Sequence, residues 1–182
     1  MTEEMKINES KIRVVKGDIS AEDVEAFVFY AQPDLKLGTG YGNAISVRGG
    51  PSIQKSLDEM TTPAAMGEAV LTEAGKLKAK YIIHAVGPAF QEDDIEGKLR
   101  KTVVNSLKCA EEKGIQQLAF PPMGAGFYGI PLDQSAKVTL GTIKDYLAGE
   151  TKLKEVIVFA MDSRELKPFQ TELGALTGNG GK

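Results

Sequence analysis

The sequence predicts a single α/β layered domain, and three observations predict it. Apolar, β-rich runs alternate with amphipathic helical stripes. Two of those runs are apolar almost without interruption, as strands covered on both faces are. The chain has 182 residues, 42% of them hydrophobic, which fits one core and leaves no room for a second domain.

The strand runs are 12–15, Ala26–Ala31, 69–71, Tyr81–Val86, 118–120 and 156–159. FVFYA at 27–31 and YIIHAV at 81–86 are the continuous ones, whereas 68–73 carries a charge at each end and reads as an edge. Among the helices, 94–113 aligns Ile95, Leu99, Val103, Leu107 and Ala110 on one face, with Asp94 as N-cap and Gly114 as the stop. The segment 132–147 aligns Ala136, Leu140, Ile143 and Leu147 behind Asp133, and shorter helices are expected at 51–60 and 163–173. There is no internal repeat or low-complexity linker. Residues 1–10 read as an N-terminal extension, 11–174 as the domain, and 175–182, ending TGNGGK, as a flexible tail.

Composition excludes several function classes. A net charge of -3 and a pI near 5.4 provide no general field toward nucleic acid or an anionic membrane, so any polyanionic partner must be held locally. One cysteine, Cys109, and one histidine, His84, exclude a disulfide framework and any metal site built from several Cys or His ligands. No metal and no cofactor are expected. The N-terminus MTEEMKINES has no apolar signal core, and no stretch approaches the roughly 18 apolar residues of a membrane span. The expectation is a soluble, cytoplasmic protein with no membrane partner and no nucleic-acid partner.

Three features fall where strands end, which is where open α/β sheets bind ligands. Lys16-Gly17-Asp18-Ile19 turns after the first strand and sets a carboxylate at the rim, as a ligand contact or simply as a helix N-cap. Gly38-Thr39-Gly40-Tyr41-Gly42 precedes a helix, so its backbone N–H groups can converge on an anion; its bland alternative is a flexible connection. Gly124-Ala125-Gly126-Phe127-Tyr128-Gly129 again joins a buried strand to a helix. Its G-x-G-x-x-G spacing matches the dinucleotide fingerprint, but it sits late in the chain and no strand-end acid follows at about 20 residues. Neither loop continues into Gly-Lys-Ser/Thr, which excludes a Walker loop. Two glycine loops suit two linked phosphates held by backbone amides, which is how an acidic chain takes an anion without clustered arginines.

The order and spacing of these segments, from Gly17-Asp18-Ile19 through Tyr81-Ile82-Ile83-His84-Ala85-Val86-Gly87-Pro88 to Phe120-Pro121 and Gly126-Phe127-Tyr128-Gly129-Ile130-Pro131, resemble the macrodomain family over about 11–173. The resemblance implies a three-layer α/β fold, a mixed, mostly parallel sheet between helices, with ADP-ribose across the strand ends. It implies that Asp18 accepts from the adenine amino group and Ile19 offers its N–H to the ring. Gly38, Thr39, Gly40 and Tyr41 would line the distal ribose and diphosphate, and Gly124, Ala125, Gly126, Phe127 and Tyr128 would form the second phosphate loop. Met161 stands where the family often has an aromatic residue against adenine.

The departures are concentrated at the distal end. Where the family commonly reads Asn-Ala-Ala-Asn, this chain has Phe29-Tyr30-Ala31-Gln32, and its triple glycine appears as Gly38-Thr39-Gly40. Gly42 and Ser46 occupy the places that hold an acidic residue and a histidine in members that hydrolyse ADP-ribosyl bonds. Gly124 and Ala125 stand where the second loop often carries hydroxyls. With those groups gone, the proton-transfer apparatus is missing and the catalytic residues are unknown; Gln32 is the one side chain left to place a water.

His84 in its apolar strand reads as a structural, hydrogen-bonded histidine, and Cys109 as a packing residue. Asp93-Asp94 and Glu111-Glu112 read as a helix entrance and a solvated face. Phe127 and Tyr128 either shape the distal ribose site or anchor their loop. The leading reading is a module that binds ADP-ribose, free or protein-linked, or a related nucleotide. The alternative is a hydrolase acting on ADP-ribose 1″-phosphate or on ADP-ribosyl or acyl-ADP-ribose esters. A scaffold with a drifted pocket is the third.

Overall fold

The protein is described by a computed structural model covering residues 4–180. A seven-stranded sheet lies between two layers of helices. Its strands are β1 (Glu4–Ile7), β2 (Ser10–Lys16), β3 (Ala26–Ala31), β4 (Ala69–Glu73), β5 (Tyr81–Val86), β6 (Gln117–Phe120) and β7 (Glu155–Ala160), in the order β1-β2-β7-β6-β3-β5-β4. The pairs β1·β2 and β4·β5 at the two edges are antiparallel, and the four central pairings are parallel.

The two-residue period of the strands divides the core. Val28, Ile83 and Val158 point to one face, where α3 (Ile95–Lys113), α4 (Leu132–Leu147) and α5 (Ser163–Gly180) pack through Leu99, Leu140 and Phe169. Their neighbours Phe27, Ile82 and Ile157 point to the other, where α1 (Tyr41–Gly49) and α2 (Ser52–Asp58) contribute Ile45, Ile53 and Leu57. Local signals set the helix ends. The Asp94 carboxylate accepts from the Gly97 N–H at 3.3 Å, and Gly114, at φ 79°, closes α3 by returning its N–H to Ala110.

Regular structure reaches into both terminal segments of the described residues. Within the expected extension 1–10, residues Glu4–Ile7 form an edge strand, with Met5 buried and paired to Ile12. The expected tail is helical from 175 to 180, because Leu173 and Leu176 anchor α5 to the core. Residues 1–3 and 181–182, the outermost parts of both segments, lie outside the described residues.

The topology places the crevice. From β6 the chain runs through α4 to β7 on one side, while from β3 it runs to β5 on the other. Only Ala26 and Phe27 of β3 pair with β6, so the two strands part toward their carboxyl ends. A gap at such a switch point is the usual ligand position in open α/β sheets.

His84 on β5 is 1% exposed, lies 2.9 Å through Nε2 from the Thr72 hydroxyl on β4, and has no partner at Nδ1 among the described residues. Burial pushes it down to about 3 from an ordinary 6.5. As pH falls below 6.5 the unfolded chain therefore takes up a proton that the folded chain refuses. Stability present above pH 6.5 is lost as pH falls toward 3. Because this is the sole histidine, we expect urea unfolding to show a loss of about 2 kcal/mol between pH 6.5 and pH 5. His84→Gln should flatten that slope; equal stability of the unaltered protein at both pH values would contradict the assignment.

Candidate functional site

Between β3 and β6 lies a cleft of about 260 Å³. Small-molecule sites commonly enclose roughly 300–1,000 Å³, so a dinucleotide-sized ligand would lie partly over the rim. Phe27, Val28, Phe29 and Tyr30 of β3 line one side, with Pro121 and Pro122 following β6. Gln32, Thr39, Gly40 and Tyr41 come from the first glycine loop, and Gly124, Ala125, Phe127 and Tyr128 from the second. Ile19, Leu37, Ile45 and Glu165 complete the wall.

The first loop is held by its own backbone and by α2. Leu35 and Gly38 take positive φ, 57° and 71°, and Gln54 clamps the loop by accepting from the Leu37 N–H at 2.9 Å and donating to the Leu35 carbonyl at 3.1 Å. Gly40, at φ 61° and ψ -130°, starts α1 with no side-chain cap, and no acidic residue lies in the first turn. Among the described residues, the N–H groups of Gly38, Thr39, Gly40 and Tyr41 have no acceptor. An uncapped helix start with free N–H groups favours an anion.

The second loop presents a matching set. Gly124, Gly126 and Gly129 all take positive φ near 75°. The loop is pinned by Ile130 N–H to the Gly124 carbonyl at 3.0 Å and by the Ser135 hydroxyl to the Met123 carbonyl at 2.7 Å. The N–H groups of Gly126, Phe127 and Tyr128 have no acceptor among the described residues.

At one end the cleft is aromatic. The Tyr30 hydroxyl donates to the Pro88 carbonyl at 2.6 Å, and its ring centre lies 4.3 Å from that of Tyr128, tilted by 43°. Gly87 makes room for that ring, since a Cβ there would fall 2.2 Å from it. Burial raises the Tyr128 phenol, and the Gln32 amide beside it offsets part of that rise. Gln32 is exposed and Phe127 is 83% exposed, so both sit at the mouth.

At the other end the cleft is acidic. Burial raises the Tyr41 phenol, and the carboxylates of Glu165, Asp18 and Asp162 push it the same way. Its hydroxyl is buried with no partner among the described residues, an unmade bond of about 1–3 kcal/mol. Tyr41 therefore has its phenol on the acidic side. Asp18, Gly38, Gly126 and Met161 do not line the cleft. Asp18 instead caps Ser20 and pairs with Arg48 at 2.9 Å; burial opposes its ionisation, but Ser20 and Arg48 outweigh it and hold the carboxyl below its usual range. Met161 is 47% exposed.

Gly42 and Ser46 supply no proton-transfer group. A Cβ on Gly42 would lie 1.6 Å from the Leu37 carbonyl oxygen, so no side chain fits there while the loop keeps its course. The Ser46 hydroxyl donates back to the Gly42 carbonyl at 3.1 Å, and Ser46 lines a separate groove with Gln54 and Asp58. Sequence reasoning missed Glu165, for which a signal existed. Asp162 accepts from the Glu165 N–H at 2.9 Å and Glu165 Oε1 accepts from the Met161 N–H at 2.8 Å, so acid-x-x-Glu closes the helix start as a near capping box in which the Glu reaches one residue before the cap.

Comparison with known proteins agrees with this architecture. The family model described as Macro domain matches residues 31–139. The chain is 37% identical over 167 residues, 87% of its own length and 93% of the relative's, to a macro domain-containing protein of Caldanaerobacter subterraneus. It is 33% identical over 169 residues, 90% and 94% of the two chains, to an O-acetyl-ADP-ribose deacetylase of Cronobacter sakazakii. Among solved structures, a glycine-to-valine mutant of the Oceanobacillus iheyensis macrodomain with ADPR superposes with a TM-score of 0.91 at 28% identity, covering 97% of this chain and 98% of that one. With its mixed sheet, its crevice between β3 and β6 and its two glycine loops, the chain belongs to the macro domain family.

Proposed function

We propose that the protein binds ADP-ribose, free or attached to another molecule, or a closely related adenine diphosphate derivative, in the cleft between β3 and β6. The observation that carries this reading is the pair of glycine loops, each with several N–H groups lacking an acceptor, on opposite walls of one crevice. Oriented backbone dipoles stabilise an anion without any cationic side chain, which suits a chain of net charge -3. The macrodomain it superposes on was solved with ADPR. No described helix is long and apolar enough to cross a membrane, and a reducing, cytoplasmic setting suits the lone thiol of Cys109.

A second reading, hydrolysis of an acyl-ADP-ribose ester, is favoured by the similarity to the Cronobacter deacetylase. The side chains at the loop argue for binding alone: Gly42 has no room for a carboxylate and Ser46 turns its hydroxyl into its own helix. Proton transfer would fall to a water placed by Gln32, an amide with no useful basicity.

Calorimetric titration with ADP-ribose should show saturable binding. Gly40→Ala should weaken it about tenfold, because a Cβ at that backbone conformation costs about 1–3 kcal/mol that the loop relieves by moving. No heat at millimolar ligand would refute the reading. Gly42→Asp is expected to lower the unfolding free energy by about 2–4 kcal/mol and to leave acyl-ADP-ribose uncleaved. Gly174→Ala, in α5 with open space around its Cβ, should change stability by less than about 1 kcal/mol and in the favourable direction. A Gly42→Asp protein of unchanged stability that turns over ester would contradict the steric account.

A further inference from the structure

We propose that the turn between β4 and β5, together with α2, forms a docking surface for an extended acidic segment of a partner protein. This surface shares no lining residue with the cleft, so it stands independently of the ADP-ribose reading. The turn, Ala74-Gly75-Lys76-Leu77-Lys78-Ala79-Lys80, carries three lysines and no acid in a chain of net charge -3.

The turn holds those lysines on a fixed backbone. Ala74 and Ala79 are buried, Leu77 is half-buried, and the Ala74 N–H donates to the Lys80 carbonyl at 3.0 Å. The Lys76 N–H donates to the Gly49 carbonyl at the end of α1, and the Lys80 N–H to the Glu25 carbonyl ahead of β3, each at 3.0 Å. Gly75, at φ 59°, permits this approach, since a Cβ there would lie 2.3 Å from the Gly49 carbonyl oxygen. A backbone already ordered has less entropy to lose when a partner docks.

Two open grooves run beside α2. One, of about 560 Å³, is lined by Lys78, Lys80 and Tyr81 with the exposed Ser52 and Ser56, and Glu73 is the one acid among its lining residues. The other, of about 480 Å³, is lined by Lys55, Gly50 and Gln54, and its one acid, Asp58, is already paired with Lys36 at 3.0 Å. Lys76 stands next to this second groove, its Cδ 3.9 Å from where a Cβ on Gly50 would fall. Among the described residues, the ammonium groups of Lys55, Lys76, Lys78 and Lys80 have no partner. Unpaired ammonium groups donate and cannot accept, which suits carboxylates.

The details favour a polypeptide over a nucleic acid. No arginine, the side chain that forks onto phosphate, lines either groove. Tyr81 is half-buried with Lys113 5.1 Å over its ring, so it is no platform for a base. A nucleic-acid strand would also run past the lysines onto a chain that is acidic as a whole, whereas a short run of carboxylates ends within the patch.

Fluorescence anisotropy with a fluorescein-labelled peptide of alternating Glu and Ser, about ten residues long, tests the surface, because an extended chain turns every second side chain to one face. Saturable binding is expected, weakening about tenfold as ionic strength rises from roughly 0.05 to 0.3 M. The triple reversal Lys76→Glu, Lys78→Glu and Lys80→Glu should weaken it by about tenfold or more, with ADP-ribose binding unchanged. The same charge change on the other helical layer, at the exposed Lys108, Lys137 and Lys167, should weaken it less than about twofold. Equal weakening by both triples would reduce the effect to net charge and overturn the proposal, as would no binding to the unaltered protein. Oligothymidylate bound as tightly through the same lysines would assign the surface to nucleic acid and overturn it too. Should the first triple fold poorly, amide chemical shifts of the unaltered protein titrated with the peptide decide: shifts centred on 74–81 support the proposal, and shifts centred elsewhere overturn it.

Discussion

The contact on which the cleft depends is the approach of Gly42 to the Leu37 carbonyl. A Cβ at Gly42 would lie 1.6 Å from that oxygen, so the loop between β3 and α1 can follow its present path only with glycine at this position. The same closure brings Gly40 to the start of α1 without a side-chain cap and leaves a run of N–H groups with no acceptor among the described residues. One steric fact therefore has two consequences. It forms a helix start that favours an anion, and it leaves no room for a side chain at position 42.

Around that loop, the cleft divides by chemistry. Its middle relies on backbone dipoles from both glycine loops, whose geometry is fixed by positive φ and by bonds such as Ile130 N–H to the Gly124 carbonyl. One end is filled with aromatic volume, because Gly87 admits the Tyr30 ring and that ring supports Tyr128. The other end is acidic and holds the unpartnered Tyr41 hydroxyl. A ligand with an anionic centre and a neutral base at one end matches this distribution, and the modest enclosed volume leaves its far end at the rim beside Gln32 and Phe127.

Much of this was legible in the sequence where the signal is local. The central strands and α3 and α4 follow from two-residue and 3.6-residue apolar periods, and both glycine loops announce themselves because positive φ demands glycine. What depends on contacts distant in sequence was not legible. β1 is four residues long with Met5 as its only buried side chain, too short to show a period. The last turns of α5 have poor intrinsic propensity and are helical because Leu173 and Leu176 meet the core. The reason for glycine at 42 lies in a carbonyl reached only by folding, and the engagement of Asp18 by Arg48 spans thirty residues. Glu165 was readable through its spacing from Asp162, but only the fold shows that this turn faces the cleft.

The central claim is that backbone N–H groups from both loops hold one diphosphate together. Amide chemical shifts followed by NMR during titration with ADP-ribose test it most directly. The account predicts that Thr39, Gly40 and Tyr41 shift together with Phe127 and Tyr128, all along one binding curve. Shifts confined to a single loop, or two loops responding with different affinities, would contradict it.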